Sequence, residues 1–262
     1  MTARPVPFAL AFAVCCAGVA FFSVMDAVMK GLSLAIGVYN ALLWRALAGT
    51  IIGIVGMATL RNPWPSGSVL RIHLLRGAVV AMMALFFFYA LTKLPLAEAI
   101  ALSFIAPLIA LYLAALLLKE RIGRNAIWAS VLGLIGVGII VSGRLRGAYD
   151  PEALLGAAAV LFSAILFAWN LIIQKQQADV ASPVEVAFFQ HLVMLGIFAV
   201  FAPFFAVIPA LAHVPMIVGA AAIAFTSLMC LSWAYARAEA QSLIPVEYSA
   251  FIWAAIMGWL FF

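Results

Sequence analysis

Few side chains in this sequence can do chemistry, and those few stand inside apolar runs. Asp26 and Lys30 lie four apart, on one face of a helix. Arg45 interrupts LLWRALAG, Glu98 opens PLAEAIALSF, and Glu247 lies in PVEYSAF. Ionisable groups at membrane depth are expensive and usually mark a solute path or a proton relay. Asp26 and Lys30 read either as an interfacial pair with the lysine snorkelling outward or as a gate with a proton-linked carboxylate. Arg45, about two turns into its span, suits a brace for buried carbonyls or a contact for a substrate anion. Glu98 and Glu247 each read either as a carboxylate favoured by a helix N-terminus or as one open to proton coupling; the first reading is stronger for Glu98, and Glu247 lies deeper.

Uncharged groups complete the candidates. Ser103 and Pro107 fall inside one span, and Pro245 falls early in another, where a missing backbone N–H frees a carbonyl. Prolines in two related helices suggest a cavity lined by both. Tyr89, Gln190, His191, Trp233, Tyr235, Tyr248 and Trp253 suit packing or an interfacial aromatic belt, with some at span interiors. Trp169-Asn170 lies well inside its span and is expected to contact a planar or amino-acid-like solute. Gly49 and Gly53 are expected to permit close helix packing, as are Gly133, Gly136 and Gly138.

The elements that must hold these residues follow from composition. Hydrophobic residues make up 68% of the 262, charged residues 9%, and the mean hydropathy is +1.24. A soluble domain could not hide that much apolar surface, so the solvent is lipid. Continuously apolar segments exclude a β-barrel and leave an all-α bundle. Nine spans are expected, at roughly 1–25, 37–58, 73–92, 96–118, 124–143, 153–174, 183–206, 214–236 and 241–262. The first run could also be a signal peptide, and the span reading is preferred because a matching segment recurs later. The net charge of +5 is scattered over span ends, which argues against nucleic acid and for lipid head groups. Cys15, Cys16 and Cys230 lie in apolar runs without metal-ligand spacing and read as packing residues.

Orientation comes from loop charge. With the N-terminus cytoplasmic, Arg4, Arg61, Arg71, Arg76, Lys119, Arg121, Arg124, Lys175 and Arg237 share that side. Lys30, Lys93, Arg144 and Arg146 fall opposite. Sliding the chain by about 145 residues sets CAGVAFFSVMDAVMK (16–30) on LFSAILFAWNLIIQK (161–175), lysine on lysine. The fourth span then falls on IPVEYSAFIWAAIMGWLFF, so the plan is two inverted repeats, 1–147 and 148–262, with a site between them near the midplane. On this plan the chain stops about one span short of ten.

These residues resemble the EamA-type transporters of the drug/metabolite transporter superfamily. The resemblance rests on LLWRALAG (42–49), LRGAVVAMMALFFFYAL (75–91), PLAEAIALSFIAPLIALYLAALLLKER (95–121), WASVLGLIGVGIIVSG (128–143) and PVEYSAFIWAAIMGWLFF (245–262). It implies two five-span inverted repeats around a central cavity and export or exchange of small polar metabolites without ATP. The expected protein is a multi-pass inner-membrane transporter working by alternating access, monomeric or homodimeric. Its partners are a small-molecule solute, the bilayer and protons as a coupling ion, with no cofactor. A membrane enzyme would need a catalytic set, and HExxH, GxSxG, Walker and aspartate-rich motifs are all missing from the sequence. A scaffold, or an importer of a vitamin such as riboflavin, stands as the other alternative.

Overall fold

The computed structural model describes residues 6–119, 122–125, 127, 128, 131, 132, 135 and 151–261. Among them lie the helices α1 (Phe8–Ile36), α2 (Val38–Thr59), α3 (Gly67–Leu91), α4 (Leu96–Ser103) and α5 (Ile105–Leu113). Next come α6 (Pro151–Val180), α7 (Pro183–Phe205), α8 (Val214–Tyr235), α9 (Ala240–Leu243) and α10 (Ala250–Phe261). Among the described residues, eight stretches are long and apolar enough to cross a membrane, and Leu96–Leu118 and Ala240–Phe261 are assembled from broken helices. The span expected at 124–143 lies largely outside the described residues, as do Gly133, Gly136 and Gly138.

Three helix pairs make the most extensive contacts: α1 with α8, α3 with α6, and α2 with α7. Each joins a helix from residues 8–91 to one from 151–235, so the two parts of the chain interleave. The α2–α7 seam is built on glycine. A Cβ on Gly49 would stand 2.0 Å from the His191 ring, and one on Gly53 would stand 3.0 Å from Phe188 Cα. Bare backbone is therefore what lets these helices approach.

Several span boundaries differ from expectation, for one physical reason. The first helix runs to Ile36 rather than 25, the third starts at Gly67 rather than 73, and the sixth runs to Val180 rather than 174. The polar residues that read as span ends are instead buried between helices: Asp26 and Lys30 in α1, His73 and Arg76 in α3, Gln174 and Gln177 in α6. Mean hydropathy registers how polar a segment is, not which face carries the polarity. α1 ends at Gly37, whose φ of 80° is open to glycine at little cost.

The broken spans follow their prolines. Pro107 offers no N–H to Ser103 and its ring crowds that carbonyl, so the helix breaks at Phe104, three residues ahead of the proline. Pro245 acts similarly: α9 tightens into a 3₁₀ segment, Ile244–Ser249, before α10 begins.

Candidate functional site

A cavity of about 140 Å³ lies where α1, α2, α3, α6, α7 and α8 meet the two broken spans. That is close to the size of a cavity that takes up a benzene-sized molecule. Asp26, Arg45, Arg76, Asn170, His191 and Ala224, which line it, all fall in the middle part of their helices. Ser103, Pro107 and Glu247 reach it from the two proline breaks. Phe22, Phe87, Phe88, Phe104 and Phe167 give it apolar walls.

Two arginines line the cavity and are treated very differently. Arg76, 2% exposed, is engaged at each of its three nitrogens by the amide oxygens of one helix. It donates from Nε to Asn170 (2.9 Å), from Nη2 to Gln174 (2.8 Å) and from Nη1 to Gln177 (2.6 Å). Positions 170, 174 and 177 stack on one helical face, which is why a single guanidinium can reach all three. Gln177 passes the network on, donating from Nε2 to His73 Nδ1. His73 then donates from Nε2 to Glu185 (3.0 Å) and stacks on Phe189 with centroids 4.5 Å apart. Glu185 also closes a capping box with Ser182 at the start of α7. The network thus runs from the cavity to the α6–α7 turn.

Arg45, 5% exposed, has much poorer company. Its Nη1 points to the Met25 sulfur at 3.6 Å, and its Cζ lies 5.9 Å from the Phe88 ring centre. Its Nε has no hydrogen-bond partner among the described residues. Gln190, 4% exposed on α7, lines the same cavity with neither its amide nitrogen nor its oxygen partnered among the described residues. Asp26 lies within electrostatic reach of both Arg45 and Glu247. His191 is held by its Nδ1 against Ala187 O (2.9 Å) and also feels Arg45. Buried polar groups are normally satisfied, so unpaired ones converging on a cavity mark a place for a ligand.

The candidates read from sequence divide accordingly. The cavity gathers Asp26, Arg45, Ser103, Pro107, Asn170, His191 and Glu247. Trp169, 45% exposed, turns outward beside its buried neighbour Asn170, and Tyr89 and Trp253 also lie on the outer surface. Glu98 occupies the first turn of α4, where the helix dipole favours it, away from the cavity lining. Tyr235 is fully buried elsewhere in the core, and Tyr248 supports the wall by packing edge-on against Phe104 at 5.0 Å. Lys30 neither snorkels nor turns to Asp26; it donates to Leu94 O at 2.8 Å. Sequence reasoning missed Arg76, which looked like a loop charge. The amides at 170, 174 and 177 were the available signal. No group of His, Cys, Asp or Glu among the described residues could hold a metal.

Known proteins give this arrangement a context. The model of the EamA-like transporter family matches residues 9–142. The chain is 26% identical over 248 residues to the pseudopaline exporter CntI of Pseudomonas aeruginosa, covering 92% of this chain and 83% of that one. An uncharacterised transporter of Helicobacter pylori is 28% identical over 70% of this chain and 62% of its own length. The aromatic amino acid exporter YddG of Ancylobacter novellus is 27% identical over 51% of this chain and 45% of its own. A solved crystal structure superposes with a TM-score of 0.69 at 19% identity, covering 91% of this chain and 86% of the other, which is a likeness of fold.

Proposed function

The chain belongs to the EamA-like transporter family of the drug/metabolite transporter superfamily, and from that premise we propose a secondary transporter that exports or exchanges small polar metabolites, such as amino acids or related compounds. The cavity carries the reading: it lies at the middle of its helices, is walled by both parts of the chain, and holds buried polar groups that no described residue satisfies. Solute in such a site exchanges partners with Arg45, Gln190, Asp26 and Glu247 and is released when the walls separate on one side.

Alternating access between two inverted repeats is the motion we assign. Moving five spans along the chain exchanges the α1–α8 contact with the α6–α3 contact and returns the α2–α7 contact to itself. The observed packing has that pattern. We assign the N-terminus to the cytoplasm: with Arg76 removed from the loop charges, the remaining basic residues still favour that side.

Counterflow in proteoliposomes tests the function. A preloaded metabolite panel should drive uptake of labelled solute, and Asp26→Asn with Glu247→Gln should change its dependence on a proton gradient. If no solute exchanges across the panel, the transporter reading fails. Exchange that ignores the gradient in the parent protein would remove protons as the coupling ion.

A further inference from the structure

The cavity lies between two unlike surfaces. Arg76 and Asn170 line it, and from them the side-chain network leads through Gln177 and His73 to Glu185 at the α6–α7 turn. Met25 lines it as well, and from there the fully buried Met29 and Leu32 continue along α1 toward Gly37, in the opposite direction. This second surface packs on α8: Met25, Met29, Leu32, Ile217 and Ala220 share one buried cluster, and Met216 Cε lies 3.8 Å from where a Cβ on Gly31 would stand.

The two surfaces occupy matching places. The shift of about 145 residues sets Asn170, Gln174 and Gln177 on Met25, Met29 and Leu32, and sets Arg76 on Ala221 of α8. The match reaches a single bond. Ser163 Oγ donates to Met83 O at 2.9 Å between α6 and α3, and Ser227 Oγ donates to Gly18 O at 2.7 Å between α8 and α1. The shift sets 163 on 18 and 83 on 228. Helix contacts are thus kept between the α3–α6 and α1–α8 seams, while their chemistry is exchanged, amides and a guanidinium for methionine and alanine.

We propose that these surfaces are the two gates of the cavity and that they close by different means. Arg76, Gln177, His73 and Glu185 form a hydrogen-bonded latch at the α6–α7 end; Met25, Met29 and Leu32 against α8 form an apolar seal at the α1–α2 end. This rests on the transporter reading and adds to it where each mouth closes and what holds it. When the latch parts, water replaces each lost partner, so every bond in it is worth only about twofold to tenfold in the closing equilibrium. When the seal parts, apolar surface is wetted, and the flexible methionines re-pack as it closes. In alternating access the mouths are coupled: what weakens one closure favours the other.

Hydrogen exchange read by mass spectrometry on the full chain in detergent tests this. Residues 67–76 and 183–190 report the α6–α7 end, and 29–36 and 214–221 report the α1–α2 end. His73→Phe keeps a ring to stack on Phe189 and removes both nitrogen contacts. It should speed exchange at the α6–α7 end by about tenfold and slow it at the α1–α2 end. Met29→Gln, similar in size but polar, should do the reverse by about the same factor, because a buried amide without a partner gains from water. Neither residue lines the cavity. Ser227→Ala, which removes one neutral bond from the α1–α8 seam, should leave the balance between the ends unchanged. Should His73→Phe fail to fold, Glu185→Gln, which retains the capping box, must shift the balance in the same direction by about threefold.

Protection at the far end separates a gate from a packing defect, which loosens only its own end. Variants that loosen their own end without protecting the other overturn the gates, as do His73→Phe and Met29→Gln acting in one direction. A reciprocal shift from Ser227→Ala as large as that from His73→Phe overturns the latch. Counterflow is measured in parallel: solute exchange without reciprocal shifts removes the gates and keeps the transporter, and reciprocal shifts without exchange of any solute keep the gates and remove the transporter.

Discussion

Arg76 and Arg45 line one cavity and are buried to nearly the same degree, yet one is finished and the other is waiting. Arg76 spends its donors on three neutral amides of α6, which hold charge in place without cancelling it. Arg45 meets a thioether and a ring, and keeps an unused donor beside an equally unused Gln190. Depth in the membrane therefore says little about what a buried cation does. The number of acceptors that neighbouring helices supply says much more. A guanidinium engaged at all three nitrogens joins α3 to α6, and one with an idle Nε keeps a donor beside the cavity.

That contrast can be broken experimentally. The largest effect should come from Arg76→Met, which strands three buried amide oxygens and the Gln177–His73 link. Stability should drop by about 3–5 kcal/mol, on the scale of severed buried charge networks, visible as a lost thermal transition. Arg76→Lys should recover only part, since an ammonium cannot reproduce the planar fork. Next comes Gly49→Val, which drives a side chain into His191 one turn from Arg45. Overpacking there should cost about 1–3 kcal/mol, read as a lower midpoint of thermal unfolding. Arg45→Gln should cost the fold only about 1 kcal/mol, while counterflow falls by roughly tenfold or more as a charge-assisted contact is lost. If Arg45→Gln unfolds the protein as thoroughly as Arg76→Met, the two arginines do the same job. The smallest effect belongs to Trp169→Ala: its side chain faces outward, so stability should stay within about 0.5 kcal/mol and counterflow should not change.

Much of this was legible in the residues. The lipid environment, the all-α class, the glycine contact at Gly49 and Gly53, and the choice of Asp26, Arg45 and Glu247 as cavity candidates follow from residue type against an apolar background. What escaped was which face each residue occupies. Trp169 and Asn170 are neighbours in sequence, but successive helical positions turn by roughly 100°, enough to send one outward and the other to Arg76. Arg76 itself was lost because Arg71 and His73 precede it, and together they look like a loop. Its partners lie about a hundred residues away, and only folding brings them together. The break in the fourth span was expected at Pro107, but the vacancy a proline creates lies one turn upstream.

The α2–α7 seam carries a mechanical implication. Where most helix pairs interlock side chains, this one rests backbone against ring and methyl at Gly49, Gly53 and Gly56. A smooth bearing of that kind resists separation while offering few teeth against tilt. Since α2 is roughly 33 Å long, a tilt of about 10° around its centre carries each end roughly 3 Å in opposite directions. Closing one mouth of the cavity and opening the other would then be a single stroke of the same lever, with its fulcrum one turn from Arg45.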